Sequence, residues 1–321
     1  MARFSHSTLL LLAAALAVLT ATMDAAVKKK PVAKSTKPAP AAVTKPAVAA
    51  PAATPRPRMQ DLNEIVAQSE TNGLPLAARG AIVIDALTGA SLYEKNADDP
   101  QFPASTTKIM TALLIIEEGD LDREVECTLE DSRVGESSLY LKPGQRYTRR
   151  QMLYGLMLKS ANDVAHALAR DNAGTMPAFA EKMTLRAAEL GATATRFMNP
   201  NGLHNAAHTT CPRDLAVITR AAMQQPLFRE LVTTRSYNWV KESVVIPLSN
   251  HNRLLARFPG CTGVKTGYTN PAMHVLVSAA LRDGREVIAV VMHTDKPGIW
   301  DDSTILLEYG LTHPPAVAGR K

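Results

Sequence analysis

Cysteine is scarce in this chain. Its three cysteines among 321 residues, Cys127, Cys211 and Cys261, lack metal-ligand spacing, and an odd set excludes a fully paired disulfide framework. One disulfide plus one free thiol fits an oxidising compartment, and a thiol nucleophile would need a histidine brought near by folding. Histidine spacing is equally uninformative. His166, His204, His208, His251, His274 and His293 include no His-x-x-x-His on one helix and no carboxylate at metal spacing, so no metal is expected. Long apolar runs are missing too. The run at residues 9–19 has eleven apolar residues, too few to span a bilayer comfortably. With Arg3 before it and small residues at 21–26 after it, the run reads as a secretory signal over residues 1–26. Export follows from that reading, to the periplasm or cell envelope, with an uncleaved signal left open as an anchor.

Acid is absent from residues 27–58, which hold seven prolines and eight basic residues. Such a composition cannot build a core, so residues 27–60 read as an extended linker. The formal charge of +6 originates there: residues 1–58 carry nine Lys or Arg and one Asp, leaving 27 basic and 29 acidic residues beyond. Nucleic acid is therefore not the expected partner of the folded part. The linker suits weak contact with an anionic envelope polymer or membrane surface, with a solvated spacer as the equal alternative. The folded domain is expected over residues 61–312, followed by a short tail at 313–321.

Within that domain, residues 79–96 place two apolar runs on either side of Leu87-Thr88-Gly89, a hairpin signal. Residues 105–118 read as a helix with Ile109, Leu113 and Ile116 among its apolar positions and Gly119 as its stop. A helical block follows from 148 to 190, broken at Ser160, Gly174 and Gly191, and a further helix runs from Pro212 to before Pro226. Strands return between 262 and 294, with Asp283-Gly284 as a tight turn, and residues 300–309 read as a closing helix. Strands at both ends with helices between predict an α/β (α+β) domain whose terminal segments share one sheet. No internal repeat is present.

Three short strings stand at element boundaries. Ser105 precedes Lys108 by three residues, so the two side chains share a helical face. A hydroxyl is a poor nucleophile until a neighbour takes its proton, and a desolvated lysine can do so. Ser-x-x-Lys arises by chance about once per 300 residues, and Ser105 also suits a helix cap. Ser160-Ala161-Asn162 falls in a helix break, where Ser160 can equally cap the next helix. Lys265-Thr266-Gly267 falls on a strand, where Lys265 can be an exposed edge charge and Gly267 a bulge.

In this order and these settings, the strings resemble the low-molecular-mass penicillin-binding proteins, the serine-type D-alanyl-D-alanine carboxypeptidases and endopeptidases of peptidoglycan. The resemblance extends to PASTTKIMT, LKPGQ, LYGLMLKSANDVAHALA, AELGATATRFMNPNGL, TTCPRDLAVITR, NHNRLL and GVKTGYTN, over roughly residues 80–310. It implies a β-lactamase/transpeptidase-like fold with an inserted helical subdomain. It also implies that Ser105 attacks the carbonyl between two D-alanines of a stem peptide while Lys108 accepts its proton. Ser160 would relay that proton to the leaving amine, Asn162 would hold Lys108 and the substrate amide, and Lys265 and Thr266 would bind the substrate carboxylate. Gly267 would allow close approach, and the N–H groups of Ser105 and Tyr268 would form the oxyanion hole. Tyr140 and Tyr268 are candidates to line the cleft. β-Lactams would act as covalent inhibitors, and no cofactor is needed.

Departures from the pattern matter. No Glu-x-x-x-Asn string follows the second motif, which sets the chain apart from class A β-lactamases. Ile299 stands where carboxypeptidases of the family carry an arginine toward the terminal carboxylate, with Lys296 as a candidate substitute, and Pro271-Ala272-Met273-His274 replaces an Ala-Gly pair. By the same resemblance, the chain's stop soon after Tyr309 lacks a β-rich second domain and an amphipathic tail, which favours the endopeptidase branch. A carboxypeptidase is the main expectation, a DD-endopeptidase the first alternative, and a non-catalytic peptidoglycan-binding protein the second.

Overall fold

The computed structural model describes residues 59–68 and 73–313; the signal, nearly all of the linker and the tail beyond 313 lie outside them. Helix α1 (Met59–Ala67) precedes strands β1 (Gly80–Asp85) and β2 (Ser91–Lys95). Their turn forms because Asp85 Oδ1 accepts from the N–H groups of Leu87 and Thr88 at 3.1 and 2.9 Å, while Gly89 takes a positive φ of 78°. A 3₁₀ turn at Ala104–Thr107 leads directly into α2 (Lys108–Glu118), which Gly119 ends as expected. Helix α2 is buried from Lys108 through Ile115, so it is a core helix with no polar face along that length.

Small strands β3 (Glu124–Glu126) and β4 (Arg146–Thr148) pair around the short helix α3 (Leu129–Ser132). The helical block then holds α4 (Arg149–Tyr154), a π-helical turn at Gly155–Lys159, α5 (Asn162–Ala173) and α6 (Met176–Glu189). Helix α7 (Pro212–Ala222) starts on its proline as the sequence predicts. Pro226, read as a terminator, instead opens α8 (Pro226–Thr233). Next come the hairpin β5 (Ser236–Lys241) and β6 (Val244–Ser249), the short helix α9 (Leu254–Arg257), strands β7 (Cys261–Thr269), β8 (Met273–Arg282) and β9 (Arg285–Thr294), and helix α10 (Gly298–Thr312).

The main sheet has the order β2-β1-β9-β8-β7, all antiparallel, so the two ends of the domain share one sheet as expected. Its strands β1, β8 and β9 are buried on both faces along most of their length, and the alternation of their residues sorts them between two cores. Ala81, Val83, Leu276 and Val291 pack with Leu62 and Leu306 of the terminal helices. Ile82, Ile84, Val277 and Val290 pack with Ile109 and Leu113 of α2. Because β7 is an edge strand, one row of its backbone groups is free of the ladder, and that edge faces the Ser105 turn.

All three cysteines are free thiols, so the disulfide that an oxidising compartment would allow is not formed; Cys127 and Cys211 are buried. Burial pushes the Cys127 thiol up to about 12 and those of Cys211 and Cys261 to about 11. None supplies a thiolate nucleophile at neutral pH.

Candidate active site

Ser105, Ser160, Asn162, Thr266, Gly267 and Tyr268 line one cleft of about 570 Å³, which the sheet edge and the helical block enclose. Lys108 and Lys265 lie beneath its surface, 0% and 2% exposed. The three strings, 160 residues apart at their extremes, therefore converge. Tyr140 does not line the cleft; its side chain is 76% exposed.

Ser105 sits in the 3₁₀ turn, not at a helix cap. The capping positions belong to Pro103 for the turn and Thr107 for α2, and neither makes a side-chain cap bond. The turn is pressed from two sides. Gly202, at φ +84°, lies so close that an added Cβ would fall 1.8 Å from the Ala104 carbonyl oxygen, and a Cβ on Gly267 would fall 2.9 Å from the Ser105 nitrogen. Only glycines permit that approach, which holds the Ser105 N–H beside the edge of β7. Gly267 is accordingly a contact point, and the ladder irregularity in β7 falls between Cys261 and Gly263 instead.

One turn after Ser105, at the first residue of α2, Lys108 Nζ donates to Ser105 Oγ at 3.1 Å, Asn162 Oδ1 at 2.8 Å and the Asn201 carbonyl at 2.6 Å. Three acceptors match the three hydrogens of an ammonium; the neutral amine has two hydrogens and one lone pair, which can point at a hydroxyl. Burial lowers the Lys108 pKa well below the usual lysine range, and the Lys265 charge lowers it further, against the opposing pull of Glu136 and Asp163. Lys265 Nζ donates to Ser160 Oγ at 3.1 Å and to the Thr266 carbonyl at 2.9 Å, and burial brings its pKa down to about 7. Lys265 is thus no exposed edge charge.

Ser160 is not the cap of α5 either. Ala161 occupies that position without a side-chain bond, while Ser160 takes a left-handed φ of 61° at the end of the π-helical turn. This backbone reversal sends its hydroxyl toward Lys265 and lets Asn162, at the start of α5, reach Lys108.

Several contributors were not visible in the sequence strings. The Asn201 main-chain oxygen holds Lys108, and a loop organised by Asn199 presents it: Asn199 Oδ1 accepts from the Gly202 N–H at 2.7 Å, and Asn199 Nδ2 donates to the Leu203 carbonyl at 2.9 Å. Asp163, next to Asn162, accepts from Ser138 Oγ at 2.6 Å and from the N–H groups of Leu139 and Leu141 at 3.0 and 3.1 Å. It braces the segment that brings Glu136 and Ser137 into the cleft. His251 and Arg253 also line it, as do His274, Lys296 and Ile299.

The arrangement can deprotonate a hydroxyl, donate two N–H groups to an oxyanion and bind an anion on a buried cation. Known proteins resemble the chain over most of the domain that carries this site. Residues 66–296 match the family model described as D-alanyl-D-alanine carboxypeptidase. A D-alanyl-D-alanine carboxypeptidase of Mycobacterium tuberculosis is 36% identical over 245 residues, covering 74% of this chain and 84% of the relative. A D-alanyl-D-alanine endopeptidase of Escherichia coli is 30% identical over 225 residues, covering 68% and 71%. Among solved structures, a penicillin-binding protein homologue from Mycobacterium tuberculosis superposes with a TM-score of 0.73 at 33% identity, covering 78% of this chain and 98% of that one.

Proposed function

The chain belongs to the D-alanyl-D-alanine carboxypeptidase family, and from that premise we propose that it is a serine DD-carboxypeptidase that removes the terminal D-alanine of peptidoglycan stem peptides through a Ser105 acyl-enzyme. The observation that carries this reading is the Lys108 amine, fully buried 3.1 Å from Ser105 Oγ with its pKa held down. Neutral Lys108 takes the Ser105 proton as Oγ attacks the scissile carbonyl. Negative charge developing on that oxygen is met by the N–H groups of Ser105 and Tyr268, each worth about 3 kcal/mol in sites of this kind. Ser160 passes a proton to the departing amine, and Lys265 with Thr266 holds the substrate carboxylate. Water then enters, Lys108 again acts as base, and Ser105 is released.

Lys265 explains part of its own tuning. A cation with a pKa near 7 is half charged before substrate arrives, and an incoming carboxylate raises its proton affinity. Binding thus completes the charge that binding requires.

Penicillins are covalent inhibitors under this reading because they present a carboxylate and a strained amide to the same groups. The signal-like start and basic linker support export to the cell envelope, with the linker in weak contact with an anionic surface. Incubation with a labelled penicillin should add one acyl group at Ser105, and a stem pentapeptide should release free D-alanine. Absence of an adduct on folded protein would overturn the acyl-enzyme reading and favour a peptidoglycan-binding module. A DD-endopeptidase reading is favoured by Ile299, which lines the cleft as an apolar residue; conversion of cross-linked dimers to monomers without D-alanine release would select it.

A further inference from the structure

The cleft holds more positive charge than one terminal carboxylate requires. Beyond Lys265, the side chains of Arg253 and Lys296 line it, and neither forms an ion pair among the described residues. Several surface cations elsewhere are paired, Arg213 with Glu94 and Asp98, Arg229 with Glu286, Arg186 with Glu117, while Arg133, Arg196 and Arg257 form no ion pair among the described residues. The nearest acid in sequence to Lys296, the exposed Asp295, forms no ion pair with it and accepts from the Gly298 N–H at 2.6 Å through Oδ1.

Arg253 is also braced. Its guanidinium lies over the Trp300 ring, 5.6 Å from the centroid, so less freedom is lost when it meets an anion. The cleft is also lined by an apolar pair, Ile299 and Trp300, only 3% and 9% exposed. Ile299 offers no hydrogen bond to a carboxylate, yet it can carry the methylenes of a longer side chain past the first anion site. Among the residues lining the cleft, Glu136 is the one acid, against the two cations Arg253 and Lys296.

We propose that Arg253, braced on Trp300 and assisted by Lys296, binds a second carboxylate carried by the side chain of the leaving residue, so that the cleft, beyond releasing D-alanine, favours leaving residues with an acidic side chain over their neutral side-chain amides. The proposal rests on the acyl-enzyme reading above and adds the class of amine released. The bond broken is the same amide, and the second carboxylate takes no part in proton transfer.

The test uses the full chain and three peptides with a common acyl part ending in D-alanine, whose leaving residues are D-alanine, D-α-aminoadipate and the side-chain amide of the latter. The aminoadipate peptide should exceed its amide in kcat/KM by about fivefold, the scale of one partly exposed ion pair. Arg253→Ala should bring that ratio close to one, and Arg253→Lys should keep most of it. A wild-type ratio of one or less, or a ratio that survives Arg253→Ala with Lys296→Ala, overturns the proposal. Equal slowing of all three peptides by Arg253→Ala also overturns it, because Arg253 would then serve the α-carboxylate. A fourth peptide with the acid moved to the acyl part separates sources: a preference that follows the acid there counts against the leaving-group assignment. Labelled-penicillin acylation of the wild-type chain, run in parallel, reports on Ser105 alone, so failure of the acyl-enzyme reading is distinguishable from failure of this one.

Discussion

Asp131, in the short helix α3 beside the helical block, and Lys108, beneath the cleft, are both 0% exposed, but their surroundings have opposite sign. Asp131 accepts from His166 Nδ1 at 2.7 Å, Arg170 Nη2 at 2.9 Å and the Thr128 N–H at 2.8 Å. Burial by itself would raise the Asp131 pKa, yet these hydrogen bonds hold it well below the usual carboxylate range. Arg149 and Asp171 repeat the pattern at 2.7 Å. Lys108 instead shares its interior with a second cation, Lys265, and has no ion-pair partner within 4.0 Å among the described residues. Paired burial fixes position, because each charge is neutralised by its partner. Unpaired burial of like charges alters proton affinity, which is what a general base needs.

Removing the nucleophile separates the two regions most sharply. Ser105→Ala should abolish penicillin labelling and lower D-alanine release by at least about 10³-fold, with the melting temperature nearly unchanged. Asp131→Ala should do the reverse. Leaving His166 and Arg170 without their shared partner should cost about 3–5 kcal/mol of stability, and thermal unfolding would show it. At a temperature where the variant stays folded, its kcat/KM should remain within about threefold of wild type, since Asp131 lies outside the cleft. The sign with pH follows from the lowered pKa: this stability is present above the unfolded carboxyl's value of about 3.9 and is lost as pH falls through the lower folded value. Equal activity losses in the two variants would break the distinction.

Gly267→Ala tests how closely β7 must approach. The new Cβ would stand 2.9 Å from the Ser105 nitrogen and 3.1 Å from the Ala104 Cβ, so the strand or the turn must shift. A displacement of this kind at an oxyanion donor should lower kcat/KM about 100-fold with little loss of stability. Unchanged turnover would place the oxyanion donors elsewhere.

What the sequence disclosed follows from the range of each interaction. Ser105 and Lys108 are one helical turn apart, so their pairing was readable, and the terminal hairpin announced itself through Leu87-Thr88-Gly89, although the Asp85 carboxylate that holds the turn was not read. The Asn201 carbonyl was not readable as a Lys108 partner, because a main-chain acceptor leaves no side-chain signature. Ser105 and Ser160 looked like caps since their residue type and position allow it; the 3₁₀ turn and the left-handed reversal that exclude capping depend on Gly202 and on the π-helical turn. The β5–β6 hairpin escaped notice because its reversal uses Glu242, at φ 56°, in place of a glycine or asparagine. Lys265 looked exposed on an edge strand until the helical block covered that edge.

Lys265 also permits the finest test of the comparison, because its tuning can be removed without removing its charge. With a pKa of about 7 in the free enzyme, Lys265 loses its proton as pH rises through neutrality, and carboxylate binding weakens with it. Lys108 must lose its proton to act, so activity rises with pH on the acid side. The kcat/KM profile, which reports the free enzyme, should therefore show an alkaline limb near pH 7. The limb in kcat should lie higher, because bound carboxylate stabilises the Lys265 ammonium. Lys265→Arg keeps a cation whose intrinsic pKa exceeds 12, so the alkaline limb should move up by more than two pH units while activity at pH 7 falls about tenfold or less from altered geometry. If the alkaline limb stays near 7 in the Arg variant, another group sets it, and the buried cation at Lys265 is then not the feature that distinguishes this site from the paired charges around Asp131.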